Sequence, residues 1–428
     1  MRGRCGAPFF SSFRVHFDGR SLEWPRSLPT GYAPLLAQRF ARLDALLTAT
    51  ASWWQTQPYH HTRLCFADEA PELAAALLAM DDEAVQRLDA EGDALCDFLA
   101  PWIPQGHELH ALARLSPLVG VPPEVDSFLA RHTPGRKWSQ ILAFSGALPP
   151  HEGPWLEWCA GKGHLGRLVS LTRQQAVTSL EWQAALCEEG RHLAERDGAR
   201  QRFVQGDAFT AQAADLIQAE HHAMALHACG ELHTTLIEQV ASRQARGLTL
   251  SPCCYHLIRG DHYRPLSRAG QGSALRLGKS DLRLPLQETV TAGARVRRLR
   301  EQEVVWRLAF DSLQRCVRGC DAYLPVPNTQ KSLFNGRFSD FCRWAAELRG
   351  VTLPDRIDEA HWLSVGQARA ALVLRMELVR HLFRRPLELW LVLDRALRLE
   401  EEGYRVEIGE FCERPLTPRN ILIRAVRP

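Results

Sequence analysis

The feature that most constrains this chain is Gly161-Lys162-Gly163-His164-Leu165-Gly166, a G-x-G-x-x-G that follows the apolar run 155–159 and precedes a segment of helical period. Glycine is needed where a chain turns sharply between strand and helix and lets a ligand approach the backbone, and the helix start offers free N–H groups to that ligand. Four more short apolar runs follow at 176–182, 202–208, 222–229 and 247–254, each separated by a helix-length segment. Strands alternating with helices specify parallel βαβ units, so an α/β sheet wound on both faces is expected. In such a sheet the strand ends near the switch in strand order share one crevice, where a dinucleotide or S-adenosylmethionine would sit.

Strand-end acids choose between these ligands. Glu157 lies four positions before Gly161, where a carboxylate suits the ammonium of a methionine moiety and repels a pyrophosphate. Glu181, at the end of the second run, suits ribose hydroxyls in either ligand class. Asp207 with Ala208, after the third run, suits the adenine amino group. Any one acid alone reads as a solvated strand end; three in order favour S-adenosylmethionine over NAD(P), which leaves an NAD(P)-linked oxidoreductase as the alternative enzyme.

Gly161-Lys162-Gly163-His164-Leu165, then Leu226-His227-Ala228-Cys229-Gly230-Glu231-Leu232-His233, then Cys253-Cys254-Tyr255-His256, with Leu416-Thr417-Pro418-Arg419-Asn420-Ile421 near the end, carry a family resemblance. The sequence resembles class I S-adenosylmethionine-dependent methyltransferases. More narrowly, it is similar to the group that includes proteins named for a ribosomal RNA adenine dimethylase domain and for a glutathione S-transferase C-terminal domain. The resemblance covers about 130–260 and 387–428. It implies a Rossmann-like seven-stranded sheet with helices on both faces; the helical period of the first 130 residues and the polar, Arg-rich stretch after the fifth run add a mostly helical N-terminal domain and an insertion before the last two strands. The implied cofactor-binding residues are Glu157, Ala160, Gly161, Gly163, Gly166, Glu181, Asp207, Ala208 and His227. Departures from the family pattern are Cys159 in place of a glycine, Glu157 in place of Asp, and Glu231 in place of Asp.

Four segments are expected: a helical domain over 1–130, the cofactor half of the methyltransferase core over 131–263, an insertion or substrate-facing subdomain over 264–386, and a last helix with an antiparallel strand pair over 387–428. Helices are predicted at 71–80, 339–348 and 387–403, and the final strands at 404–412 and 420–426. Trp53, Trp54, Tyr59, His60 and His61 read first as core residues and second as a base-stacking surface.

The reacting end should lie after the fourth and fifth strands. Cys253, Cys254, Tyr255 and His256 are the candidate catalytic residues: a cysteine nucleophile with a lowered pKa, or a wall in which Tyr255 or His256 orients the acceptor or takes its proton. A zinc site drawn from His227, Cys229, His233, Cys253, Cys254 and His256 has suitable ligand types, but its spacing is that of no known finger, so no metal is expected. The [N/D]-P-P-[Y/F] loop of amine methylation is absent. Arg136 and Lys137 are candidates for the cofactor carboxylate or a substrate phosphate.

Charge sharpens the partner question only locally. The net charge of +3 gives weak whole-molecule attraction to nucleic acid, while Arg295, Arg297, Arg298 and Arg300 form a candidate phosphate contact. The resemblance and this arginine cluster together make RNA the favoured acceptor, with an RNA-binding protein carrying a vestigial pocket as the non-enzymatic alternative. No apolar run reaches the roughly 20 residues of a membrane span, and the opening MRGRCGAPFFSSF lacks the apolar stretch of a secretory leader. Twelve cysteines without a C-x-x-C point to reduced thiols and a cytoplasmic protein.

Overall fold

A computed structural model describes residues 32–131, 133–287 and 294–428. The opening segment read above for a leader lies outside the described residues.

The seven strands are β1 (Trp155–Trp158), β2 (Val177–Glu181), β3 (Gln201–Gln205), β4 (His222–Cys229), β5 (Gly247–Cys253), β6 (Arg405–Glu410) and β7 (Ile421–Val426). They form one sheet in the order β3-β2-β1-β4-β5-β7-β6, parallel throughout except for β7, which runs antiparallel to both neighbours. The order reverses between β1 and β4, so the crevice opens at their C-terminal ends.

Alternation of side chains builds a core on each face. Leu156, Trp158, Ala223, Ala225, Ile421 and Ile423 join one cluster, while Trp155, Met224 and Leu422 join the other. The second face is covered by helices Gly135–Gly146 and His164–Arg173 through Trp138, Ile141, Phe144, Leu165 and Leu168. The first face is covered by helix Glu231–Arg243 and by helix Arg384–Glu400, in which nearly every side chain from Pro386 to Leu399 is buried.

Helix Arg384–Glu400 also packs on Tyr32–Ala49, and the N-terminal helices thereby share one continuous core with the sheet. These helices are Tyr32–Ala49, Pro71–Ala79, Asp82–Ala90, Gly92–Leu99 and Gly106–Ala113. Trp54 is fully buried there, its indole N–H donating to the Leu47 carbonyl at 3.1 Å. Trp53 packs on Phe66, and His60 stacks on Tyr323. Of the cluster Trp54 is core, Trp53 and Tyr59 pack partly buried against it, and His60 is exposed.

The stretch 264–386, least readable in the sequence, is dominated by two long helices, Ala294–Arg318 and Glu359–His381, which pack on each other, the first also on Phe338–Arg349. The Arg-rich stretch 294–303 opens the first of these; Arg295, Arg297, Arg298 and Arg300 are exposed on it. The segment after β5 returns to the core through Asp394. Its carboxylate accepts the Tyr263 hydroxyl (2.6 Å), the Leu266 N–H (2.8 Å), the Ser267 N–H (2.9 Å) and the Ser267 hydroxyl (2.7 Å). No helix among the described residues is long and apolar enough to cross a membrane.

Candidate functional site

The turn after β1 alternates into left-handed backbone at Cys159 (φ 57°), Gly161 (φ 59°) and Gly163 (φ 65°). A non-glycine residue there costs on the order of 1–2 kcal/mol, and Cys159 bears that cost where the family pattern has glycine. The loop is held by two bonds to β2 and its end: the Ala160 N–H donates to the Leu180 carbonyl at 2.9 Å, and the Gly161 N–H donates to Glu181 Oε2 at 2.8 Å.

The three motif glycines have different environments. A Cβ on Gly161 would meet nothing within 4 Å, so its face is open to a ligand. A Cβ on Gly163 would fall 2.3 Å from the Phe203 ring and from Gln201, and one on Gly166 would fall 2.5 Å from Glu157 Oε2. Gly163 and Gly166 therefore let helix His164–Arg173 press onto the strands. Neither lines the two hollows beside this turn.

Two hollows meet at Cys159. The larger, about 430 Å³, is walled by Leu180, Glu181, Trp182, Asp207, Ala208 and Phe209. The smaller, about 110 Å³, lies beside Lys137, Glu157, Ala160, Gly161, His164 and His227. Trp182 and Phe209 are exposed flat side chains at the larger hollow, and the sequence reading missed both. The signal available was an aromatic residue directly following the strand-end acid. The Arg259 guanidinium lies 3.7 Å above the Phe209 ring, which fixes that ring by a cation–π contact.

Glu181 holds Gly161 with one oxygen and accepts the Gln183 N–H with the other at 2.9 Å. Each carboxylate oxygen has a second lone pair, so two hydroxyl donors can still be received. Asp207 uses Oδ1 for the Phe209 N–H at 3.0 Å, an Asx turn that leaves Oδ2 for a ligand. Glu157 is buried under the start of helix His164–Arg173, where Oε2 accepts the Ser179 hydroxyl at 2.7 Å. Burial pushes its carboxyl up to about 7, opposed by the Ser179 and Gly166 bonds and by the charges of Lys137 and Arg167. His164 is held down to about 4 by burial and by neighbouring Arg167 and Lys137, so it is neutral.

The two candidate cations separate. Lys137 lines the smaller hollow. Arg136 instead donates to the carbonyls of Leu416 (2.6 Å) and Pro415 (3.1 Å), stapling the turn between β6 and β7 to helix Gly135–Gly146. That corrects Arg136 to a structural role, since its guanidinium serves backbone carbonyls. The motif at 416–421 is structural too: Asn420 donates to the Cys412 carbonyl and accepts from Arg385.

At the ends of β4 and β5 the four candidate catalytic residues diverge as well. Tyr255 is sealed in the core, its hydroxyl 3.4 Å from both the Pro252 carbonyl and Glu388 Oε1, under the guanidinium of Arg395. Burial and Glu388 push its phenol far above the usual range. It is corrected from a candidate acid or base to a packing residue. Cys253 is buried, and burial with the adjacent thiols keeps it protonated; Cys254, half-buried, is pulled the other way as the acceptor of its neighbours' S–H groups. His256 is half-buried, with Nδ1 shielded from solvent and unpaired among the described residues. His227, at φ 73°, lines the smaller hollow and bonds Gln140 through Nε2 at 3.1 Å. The Ser251 hydroxyl donates to the Arg419 carbonyl, so it is not presented to an acceptor.

Residues 149–261 match the family model described as a methyltransferase domain. Glu157, Glu181 and Asp207 lie in order along the two adjoining hollows. No curated protein matches the chain. Among solved structures the chain is similar to the glycopeptide N-methyltransferase MtfA complexed with S-adenosyl-L-methionine (20% identity, 28% of this chain and 55% of that one, TM-score 0.22). It is similar also to precorrin-6y C5,15-methyltransferase from Geobacter metallireducens GS-15 (15% identity, 32% and 72%, TM-score 0.23) and to the mitomycin 7-O-methyltransferase MmcR (15% identity, 41% and 56%, TM-score 0.22). The match spans little more than half of the glycopeptide enzyme.

Proposed function

We propose that the chain transfers the methyl group of S-adenosylmethionine to an RNA acceptor. The observation that carries the donor half of this reading is Glu181: it fixes the glycine turn through Gly161 and keeps lone pairs facing the larger hollow. On this reading Glu181 receives the ribose hydroxyls, Asp207 Oδ2 receives the adenine amine, and Trp182 and Phe209 flank the base. Lys137 meets the donor carboxylate in the smaller hollow, and the buried carboxylate of Glu157 supplies the charge that balances the ammonium. Bound there, the donor offers a methyl group on a positively charged sulfur. What the protein adds is alignment of acceptor, methyl and sulfur, together with exclusion of water from the hollow. The RNA half rests on the exposed Arg295, Arg297, Arg298 and Arg300, clustered near one end of a long helix where they suit phosphate contact.

The test follows label from methyl-labelled S-adenosylmethionine into RNA, protein and small-molecule fractions of an extract, with Glu181→Ala as the binding-deficient control. Nuclease-sensitive label that the control lacks supports the proposal. Label confined to protein or small molecules overturns the acceptor. No label in any fraction, with S-adenosylhomocysteine still bound by the native chain, would favour a vestigial pocket.

A further inference from the structure

The sulfurs of Cys229, Cys253 and Cys254 lie within 4.8 Å of one another at the ends of β4 and β5. Two departures from regular strand geometry bring them together. Between Leu226, paired with Ser251, and Cys229, paired with Cys253, β4 holds one residue more than β5. Without that bulge Ala228 would stand opposite Cys253, and Cys229 would be carried out of register. The second departure is at Cys254. Neighbouring residues of a strand point to opposite faces, so two adjacent cysteines ordinarily cannot share a target. Here the strand ends at Cys253 and Cys254 turns to φ 51°, which brings its sulfur back toward the other two.

We propose that Cys229, Cys253 and Cys254 together bind one zinc ion. Zinc–thiolate bonds of about 2.3 Å at tetrahedral angles place sulfurs about 3.8 Å apart. The Cys229 and Cys253 sulfurs are 3.5 Å apart, and the third lies within the same small compass. A disulfide would need about 2.05 Å between one pair and would leave the third thiol without a purpose.

Neighbouring histidines do not complete the set as they stand. His233 is occupied at both ring nitrogens, by the Ala228 carbonyl and by the Arg395 guanidinium. His227 is engaged with Gln140, and His256, although its Nδ1 is unpaired among the described residues, lies outside the group whose ligand atoms are all within 4.8 Å of one another. The fourth position is therefore left to water or to an incoming ligand, the arrangement of zinc sites that act on something rather than merely brace a fold. Three thiolates on a divalent ion leave one net negative charge on the site.

The inference does not depend on the acceptor being RNA, and its test does not depend on methyl transfer. The full chain, purified with reductant and dialysed free of loose metal, is assayed for zinc by mass spectrometry and then loaded with cobalt(II). About one tightly held zinc per chain, and thiolate-to-cobalt charge-transfer bands of a tetrahedral ion, are expected. Cys254→Ser, at the most accessible position, should weaken zinc binding by at least about 100-fold, while exposed Cys316→Ser leaves it unchanged. Absence of both retained zinc and the cobalt bands in the native chain would overturn the proposal, whatever the variants do. So would a mass short by two hydrogens in protein isolated without reductant, with a Cys229–Cys253 peptide crosslink. Binding of S-adenosylhomocysteine, measured on the same samples, separates loss of this site from loss of the donor pocket.

Discussion

Glu181 Oε2 accepts the N–H of Gly161 at 2.8 Å, so the acid ending the second strand holds in place the glycine turn that follows the first. Glu181→Gln keeps the shape but presents an amide NH₂ to one of two backbone donors. A charged hydrogen bond is worth roughly 1.5–3 kcal/mol, so affinity for S-adenosylhomocysteine should fall about 10- to 100-fold by calorimetry. An unchanged dissociation constant would remove Glu181 from the donor site.

Glu157 makes both stability and binding depend on pH. Burial pushes its carboxyl up to about 7, above its ordinary value of 4.5. Between these values the folded chain retains a proton that the unfolded chain has released, so this contribution is full below about 4.5 and is lost as pH rises toward 7. The loss is on the order of 2–3 kcal/mol. Glu157→Gln should remove this slope and make the ligand-free protein more stable at pH 8 in denaturant melts. Donor affinity moves the opposite way: an ammonium ligand favours the carboxylate, so native affinity should rise through pH 7 while that of the variant stays flat.

Gly161 and Gly163 should separate binding from folding. Gly163→Ala drives a methyl group into Phe203 and Gln201 at a left-handed position, and should cost about 3 kcal/mol of stability. Gly161→Ala meets no protein atom and should cost only about 1 kcal/mol, yet lower donor affinity at least about 10-fold by filling the ligand's approach. Equal melting temperatures for the two variants would contradict this division.

Asp394 receives four donors on its two oxygens. Asp394→Asn must turn an NH₂ toward two of them inside the core, at a cost of about 3 kcal/mol. Limited proteolysis should then cut first within 264–287, the segment those bonds tie down; unchanged cleavage there would show that the segment is held by other contacts.

Much of this was legible in residue order. Six of the seven strands lie within two residues of their expected bounds, and the third ends three residues early at Gln205, because short apolar runs between helical segments leave few alternatives; Glu181 and Asp207 fall on the crevice because a doubly wound sheet gathers its strand ends. What pattern alone does not carry is side-chain direction. Arg136 and Lys137 are adjacent and chemically alike, yet one faces carbonyls of a distant turn and the other a hollow. Gly161 and Gly163 sit in the same motif, yet only the packing of Phe203 from another strand tells them apart. The gathering of Cys229 with Cys253 and Cys254 depends on one bulge and one left-handed residue, and neither leaves a compositional trace.

Helix Arg384–Glu400 is clasped between the N-terminal helices on one side and the last strands on the other. The chain therefore closes on itself: a segment made near the end completes the core into which the earliest helix packs. The N-terminal cap is thus no detachable module that another enzyme might borrow, and heating should melt cap and sheet in a single transition.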